Sequence, residues 1–185
     1  MTAPAVGVLA LQGGFEAHAR VIVALGGVAV QVRTPADLAG IDALILPGGE
    51  STVMTLGIER ERLAEPLRDL VHTGIPVLGT CAGMIMLDRD HLGLLDVRTA
   101  RNAFGRQLHS FEADLDVDGI DGPPVHAVFI RAPYVKEWGH DVRVRAVVDH
   151  HPVAVSERSI TALAFHPELV GETRFHERLL ADAAR

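Results

Sequence analysis

A chain of 185 residues has the length of one domain, able to bury roughly 70 % of its unfolded surface. Its net charge of -7 argues against nucleic acid or acidic membrane as the main partner, since both need a basic footprint. The one cysteine excludes an internal disulfide and points to a reducing, cytoplasmic setting. Apolar residues make up 48 % and aromatics 4 %, so the core is expected from Val, Leu, Ile and Ala, as suits a parallel sheet covered by helices. The first residues lack the basic start of a signal peptide, and no apolar run approaches the length of about 20 residues that spans a bilayer.

The first half alternates strand and helix signals. Residues 6–11 form an apolar run that closes at Gln12-Gly13-Gly14, and a helical pattern follows over 15–25 until Gly26-Gly27. Strands are expected over 28–32 and 43–46, the second closed by Pro47-Gly48-Gly49. Ser51 fits the N-cap of a short helix, and 61–73 reads as an amphipathic helix ended by Gly74. Residues 75–78 then lead into Gly79-Thr80-Cys81-Ala82-Gly83. Such alternation implies right-handed crossovers, a mostly parallel sheet and sites at the C-terminal strand ends. Gln12, Gly48-Gly49 and Cys81 all fall there.

The second half is strand-rich. Residues 107–117, 125–130, 142–148, 153–156 and 160–165 read as short strands between turn signals, expected as antiparallel additions to the same sheet. Residues 172–184 read as a C-terminal helix. The expected architecture is α/β: a flavodoxin-like three-layer sandwich in a single domain over 1–185.

A strand that ends in Gly-x-Cys-x-Gly and enters a helix holds the cysteine on a strained corner. Backbone N–H groups and the helix dipole then favour the reactive thiolate. A buried structural cysteine is the plain alternative. A nucleophile needs a base and a group to orient it. There are ten histidines, but His166-Pro167-Glu168 stands out because it ends the 160–165 strand. Glu168 could accept from one ring nitrogen of His166 while the other faces the sulfur; a loop histidine beside a solvated glutamate is the alternative. Gly48-Gly49 before a helix could donate N–H groups to an oxyanion, or be an ordinary turn. Arg101 and Arg131 could pair with a substrate carboxylate, or be solvated. The adjacent His150-His151 lacks a spaced partner set for a metal.

These segments carry a resemblance. Gly7-Val8-Leu9-Ala10-Leu11-Gln12-Gly13, Leu46-Pro47-Gly48-Gly49-Glu50-Ser51-Thr52 and Gly79-Thr80-Cys81-Ala82-Gly83 resemble the triad-type glutamine amidotransferases. Arg101-Asn102-Ala103-Phe104-Gly105-Arg106-Gln107, Ser110-Phe111-Glu112, Phe129-Ile130-Arg131-Ala132-Pro133 and Phe165-His166-Pro167-Glu168-Leu169 narrow this to the glutaminase subunits of two-component pyridoxal 5′-phosphate synthases.

The resemblance implies roles. Cys81 would be the nucleophile, His166 its acid/base partner and Glu168 the residue orienting it. Gly49 and the Ala82 N–H would form the oxyanion hole. Gly49, Glu50, Ser51, Arg101, Ile130 and Arg131 would hold L-glutamine, and Gln12 would lie near the interface with the synthase subunit that accepts the ammonia. The glutaminase itself would need no cofactor. One departure is the link Leu87-Asp88-Arg89-Asp90-His91, shorter than is usual in that family. The rival expectations are a glutaminase serving another synthase, a hydrolase or redox sensor with an elbow cysteine, and a regulatory subunit that binds without turnover.

Overall fold

The computed structural model describes residues 2–101 and 110–185. The strand–helix alternation of the first half is present as β1 (Ala5–Leu9), α1 (Phe15–Ala24), β2 (Val28–Val32), β3 (Ala43–Leu46), α2 (Ser51–Arg60), α3 (Ala64–His72), β4 (Val77–Thr80) and α4 (Ala82–Leu87). β3 and β4 are buried at every residue, as apolar strands covered on both faces should be. After them come β5 (Val97–Ala100), β6 (Ser110–Leu115), β7 (Val125–Ile130), β8 (Tyr134–Trp138), β9 (Arg143–Val148), β10 (His151–Glu157), β11 (Ile160–Leu163) and α5 (Arg174–Ala183).

Seven strands form the central sheet in the order β2-β1-β3-β4-β11-β10-β9. β2, β1, β3, β4 and β11 run parallel, while β10 and β9 add antiparallel at one edge. The chain leaves β1 toward β2 on one side and returns to β3 on the other. This reversal of strand order opens a crevice at the C-terminal strand ends. Helices α1 and α5 pack on each other and on the sheet, and α2 and α4 form a second packed pair, with α4 against β3, β4 and β11. One apolar cluster joins the layers, from Leu9 and Ile22 through Leu44, Ile45 and Met84 to Phe165 and Leu179. No helix among the described residues is long and apolar enough to cross a membrane.

Three expectations change. The strand at 160–165 is not an antiparallel addition: β11 lies parallel to β4, Leu163 opposite Thr80. The reversing connection through β10 carries the chain into the sheet beside β4 in the parallel sense. β6 and β7 form their own antiparallel ribbon, as do β5 and β8, so these strands flank the sheet instead of extending it. Strands β5 and β8 had no clear sequence signature, being short and mixed in polarity. The start of the strand expected from Gln107, and positions 102–107 of the Arg101–Gln107 string, lie outside the described residues.

Candidate active site

Cys81 follows β4 directly, with φ 48° and ψ -107°. A residue with a Cβ held there stores about 1–3 kcal/mol of backbone strain. The neighbouring glycines explain how the corner closes. A Cβ on Gly83 would lie 1.9 Å from the Leu46 carbonyl oxygen, and one on Gly79 would lie 2.6 Å from Leu87 Cδ1. Helix α4 is thus seated hard against the end of β3. The Cys81 N–H donates to the Leu163 carbonyl at 2.8 Å, which ties the corner to β11. Its Sγ lies 3.8 Å from the Ile130 carbonyl oxygen.

Because β4 and β11 are parallel and in register, the chain leaves both at the same level, and His166 emerges beside the cysteine corner. The His166 N–H donates to the Val128 carbonyl of β7 at 3.0 Å. Its Nδ1 lies 2.8 Å from Glu168 Oε1, across a proline that starts a 3-10 turn over Pro167–Leu169. Both side chains are buried. Burial alone pushes the His166 imidazole down, but hydrogen bonding and charge from Cys81 and Glu168 override it and push it up to about 10. Burial would raise the Glu168 carboxyl; the His166 hydrogen bond, with the neighbouring His18 and His166 rings, holds it below the usual range instead.

Gly48 and Gly49 make the facing turn. A Cβ on Gly48 would lie 2.3 Å from His166 Cε1 and 3.3 Å from Cys81 Cβ, so only glycine lets β3 end this close to both. Gly49 has φ 154°, and Gln12 latches the turn behind it. Gln12 Nε2 donates to the Glu50 carbonyl at 3.0 Å, and Gln12 Oε1 accepts from the Glu50 N–H at 3.2 Å. The N-cap of α2 is Glu50, not Ser51: its carboxylate accepts from the N–H groups of Thr52 and Val53 at 3.1 and 2.8 Å. Those bonds hold its carboxyl below the usual range. Ser51 becomes the first helical residue and is buried.

A cavity of about 340 Å³ opens over this corner, lined by Gly49, Glu50, Ser51, Cys81, Ala82, Ile85, Arg101, Ile130, Arg131 and His166. Sequence reasoning had nominated every lining residue but Ile85, which lies one turn into α4 and carries no chemical signature. Glu168 stands behind His166, and Gln12 behind Gly49. Arg131, like Cys81, holds positive φ, at 45°. Arg101 leaves the end of β5, and the short 87–91 link anchors that strand. Buried Asp88 accepts from Asp90 N–H at 3.0 Å and pairs with His91 Nδ1 at 2.7 Å; its other oxygen accepts from the Thr99 hydroxyl at 2.5 Å. Sequence reasoning also passed over His18, Thr80 and His176, a buried polar group behind Glu168. Their one visible signal is a histidine on the apolar face of each of two helices.

A strained cysteine on a strand-to-helix corner, with a glutamate-held histidine on the adjacent strand end, is the arrangement of a triad-type amidotransferase. A crystal structure of a glutamine amidotransferase matches this fold with TM-score 0.90 and 41 % identity, over 97 % of this chain and 99 % of that one. The chain belongs to the SNO glutamine amidotransferase family, whose description matches residues 8–184. Among similar proteins, the pyridoxal 5′-phosphate synthase subunit PdxT of Frankia alni is 52 % identical, over 100 % of this chain and 97 % of that protein. PdxT of Mycobacteroides abscessus is 47 % identical, over 98 % of each. PurLQS from Thermotoga maritima, with TM-score 0.72 and 18 % identity, shares the fold.

Proposed function

We propose that this chain is the glutaminase subunit of a pyridoxal 5′-phosphate synthase: a single-domain, cytoplasmic amidohydrolase that cleaves L-glutamine and delivers the ammonia to a synthase subunit for vitamin B6 synthesis. The observation that carries the reading is the convergence of Cys81 and of His166, bonded to buried Glu168, on a cavity also lined by Glu50, Arg101 and Arg131.

In the reactive form the sulfur is a thiolate and His166 an imidazolium. The thiolate attacks the side-chain amide carbon of glutamine, and the developing oxyanion meets the N–H groups at Gly49 and Ala82. His166 gives its proton to the leaving nitrogen as the C–N bond breaks, so ammonia departs uncharged and a glutamyl thioester remains. Neutral His166 then takes a proton from water as the water oxygen attacks the thioester carbon. Breaking the C–S bond releases glutamate and restores the thiolate–imidazolium pair. Arg101 and Arg131 supply charge for the substrate's α-carboxylate. Gln12, half-buried behind the Gly49–Glu50 turn, links this hole to the proposed synthase interface. An incomplete hole costs about 100- to 1,000-fold in rate, and docking of the synthase subunit is expected to complete it.

The test is Cys81→Ala in the reconstituted complex. Synthesis of pyridoxal 5′-phosphate from glutamine should stop, while synthesis from added ammonium survives. Glutamine hydrolysis by the intact chain should rise on adding the synthase subunit. Glutamine-dependent synthesis that persists in the variant would refute the reading.

A further inference from the structure

The buried face of α1 carries a histidine beside Ile22, one turn further on, where a second apolar residue is expected. His18 is fully inaccessible, and polar groups from three other elements meet it. From the end of β4, Thr80 Oγ1 lies 3.0 Å from its Nε2. From α5, Nε2 of equally buried His176 lies 2.9 Å from its Nδ1. From the 3-10 turn, Glu168 Oε2 lies 3.5 Å from its Nε2, and this oxygen has no hydrogen-bond partner among the described residues. None of His18, Thr80 and His176 lines the cavity, and the proposed chemistry uses none of them. Two buried imidazoles in an apolar core are costly unless their protons are well placed.

The protons can be assigned from the contacts. If His18 carried its proton on Nδ1, its bare Nε2 would face the Glu168 carboxylate, lone pair against lone pair. His176 would then carry its proton on Nδ1, which makes no well-formed hydrogen bond although the Glu172 backbone carbonyl is near it. With the proton on Nε2 the lone-pair conflict at Glu168 is removed, and His176 Nδ1 is left as a buried acceptor without a donor. His18 then donates toward Thr80 and Glu168, and His176 donates from its Nε2 into His18 Nδ1. The third choice, a charged His18, is opposed by burial, which pushes its imidazole down against the pull of Glu168. Burial and the neighbouring His18 likewise push His176 down to about 4, so both rings are neutral near pH 7.

We propose that His18, fixed from behind by His176 and from the side by Thr80, is a positioning residue: its Nε2–H faces Glu168 Oε2 and holds that carboxylate in the orientation that keeps Oε1 on His166. The proposal rests on the reading of His166 as the acid/base of a glutaminase. It extends the Cys81–His166–Glu168 line into the core between α1 and α5, where water cannot compete for the second carboxylate oxygen. With Oε1 bonded to His166 and the His18 N–H 3.5 Å from Oε2, the carboxylate is steadied on both sides when His166 gives up its proton to the leaving nitrogen. The groups facing this line are Cys81 from the β4 corner, Thr80 from β4, His176 from α5 and, through its action on His176, Glu172.

The experiment compares His18→Leu and His18→Gln with the unaltered chain, each saturated with the synthase subunit, by kcat and KM for glutamine across pH. The leucine variant should lose about 10- to 100-fold in kcat, with KM nearly unchanged because His18 is remote from the cavity. Its alkaline limb should move to lower pH, since a loosened Glu168 supports the His166 imidazolium less well. Glutamine can still present an N–H to Glu168, so His18→Gln should recover most of kcat and return the limb. Unchanged kcat, or a loss with the limb in place and no recovery in the glutamine variant, would overturn the proposal. If the leucine variant does not fold, the ring ¹⁵N shifts of the unaltered chain decide the matter. The Nε2–H tautomer of His18 is expected, and the Nδ1–H tautomer overturns the proposal. An unaltered complex with no glutaminase activity would instead refute the function proposed above, and leave the tautomer to be judged by those shifts.

Discussion

The cavity has two walls of different construction. Cys81, Gly48 and His166 stand at the ends of β4, β3 and β11, neighbouring parallel strands whose register leaves the three turns at one level. Arg101, Ile130 and Arg131 stand at the ends of β5 and β7, which belong to two-stranded ribbons beside the sheet. On the first wall the backbones are so close that glycine is required at Gly48 and Gly83, and the Cys81 and His166 side chains are buried. On the second wall the arginines are presented from turns, and Ile130 is 38 % exposed. The contrast teaches a division of labour. Bond making needs atoms placed within fractions of an ångström, which a buried sheet supplies, whereas holding a charged substrate tolerates a more adjustable support.

If that contrast is right, small additions to the first wall should do the greatest damage. Gly83→Ala drives a methyl group into the Leu46 carbonyl, a backbone atom that cannot rotate away. It should destabilise the chain by about 3 kcal/mol or more, measured by denaturant unfolding. A cost below about 1 kcal/mol would mean that the α4 entry is looser than the wall argument requires. Gly48→Ala meets a side chain instead, the His166 ring. The chain should fold, with the imidazole displaced from Cys81 and Glu168. Glutaminase kcat should then fall by about 100- to 10,000-fold, the range for a misplaced acid/base group, with the unfolding midpoint little changed. Near-normal kcat would show that His166 can find its place from another direction.

The same contrast explains what could be read from the sequence. The parallel half was legible because apolar runs closed by glycine turns have few alternative structures, and because β4 and β11 end on a cysteine and a histidine that carry chemical meaning. The His166–Glu168 pair was legible because the proline between them leaves little conformational choice. The ribbons were not. Val97–Ala100 and Tyr134–Trp138 are short, half-exposed and without period, and they are stabilised by each other and by distant contacts such as the Asp88–Thr99 clamp. Local pattern says nothing of the direction of β11, which follows from its pairing with β4. His18 and His176 escaped notice because an isolated histidine on a helix face gains meaning only once two helices and a strand end converge.

The ribbon wall offers the gentler test. Arg131 lines the cavity from a turn with positive φ, and its guanidinium is the group proposed to meet the glutamine α-carboxylate. Arg131→Gln keeps the length and hydrogen-bonding capacity of the side chain but removes its charge. Loss of one charge-assisted hydrogen bond is worth about 1.5–3 kcal/mol, so KM for glutamine should rise roughly 10- to 100-fold. Because the arginine binds a part of the substrate that does not react, it should hold ground state and transition state alike, leaving kcat near its original value. A fall in kcat matching the fall in kcat/KM would mean that the ribbon wall also places the reacting amide. The two walls would then act as one rigid unit, and the division between them would have to be abandoned.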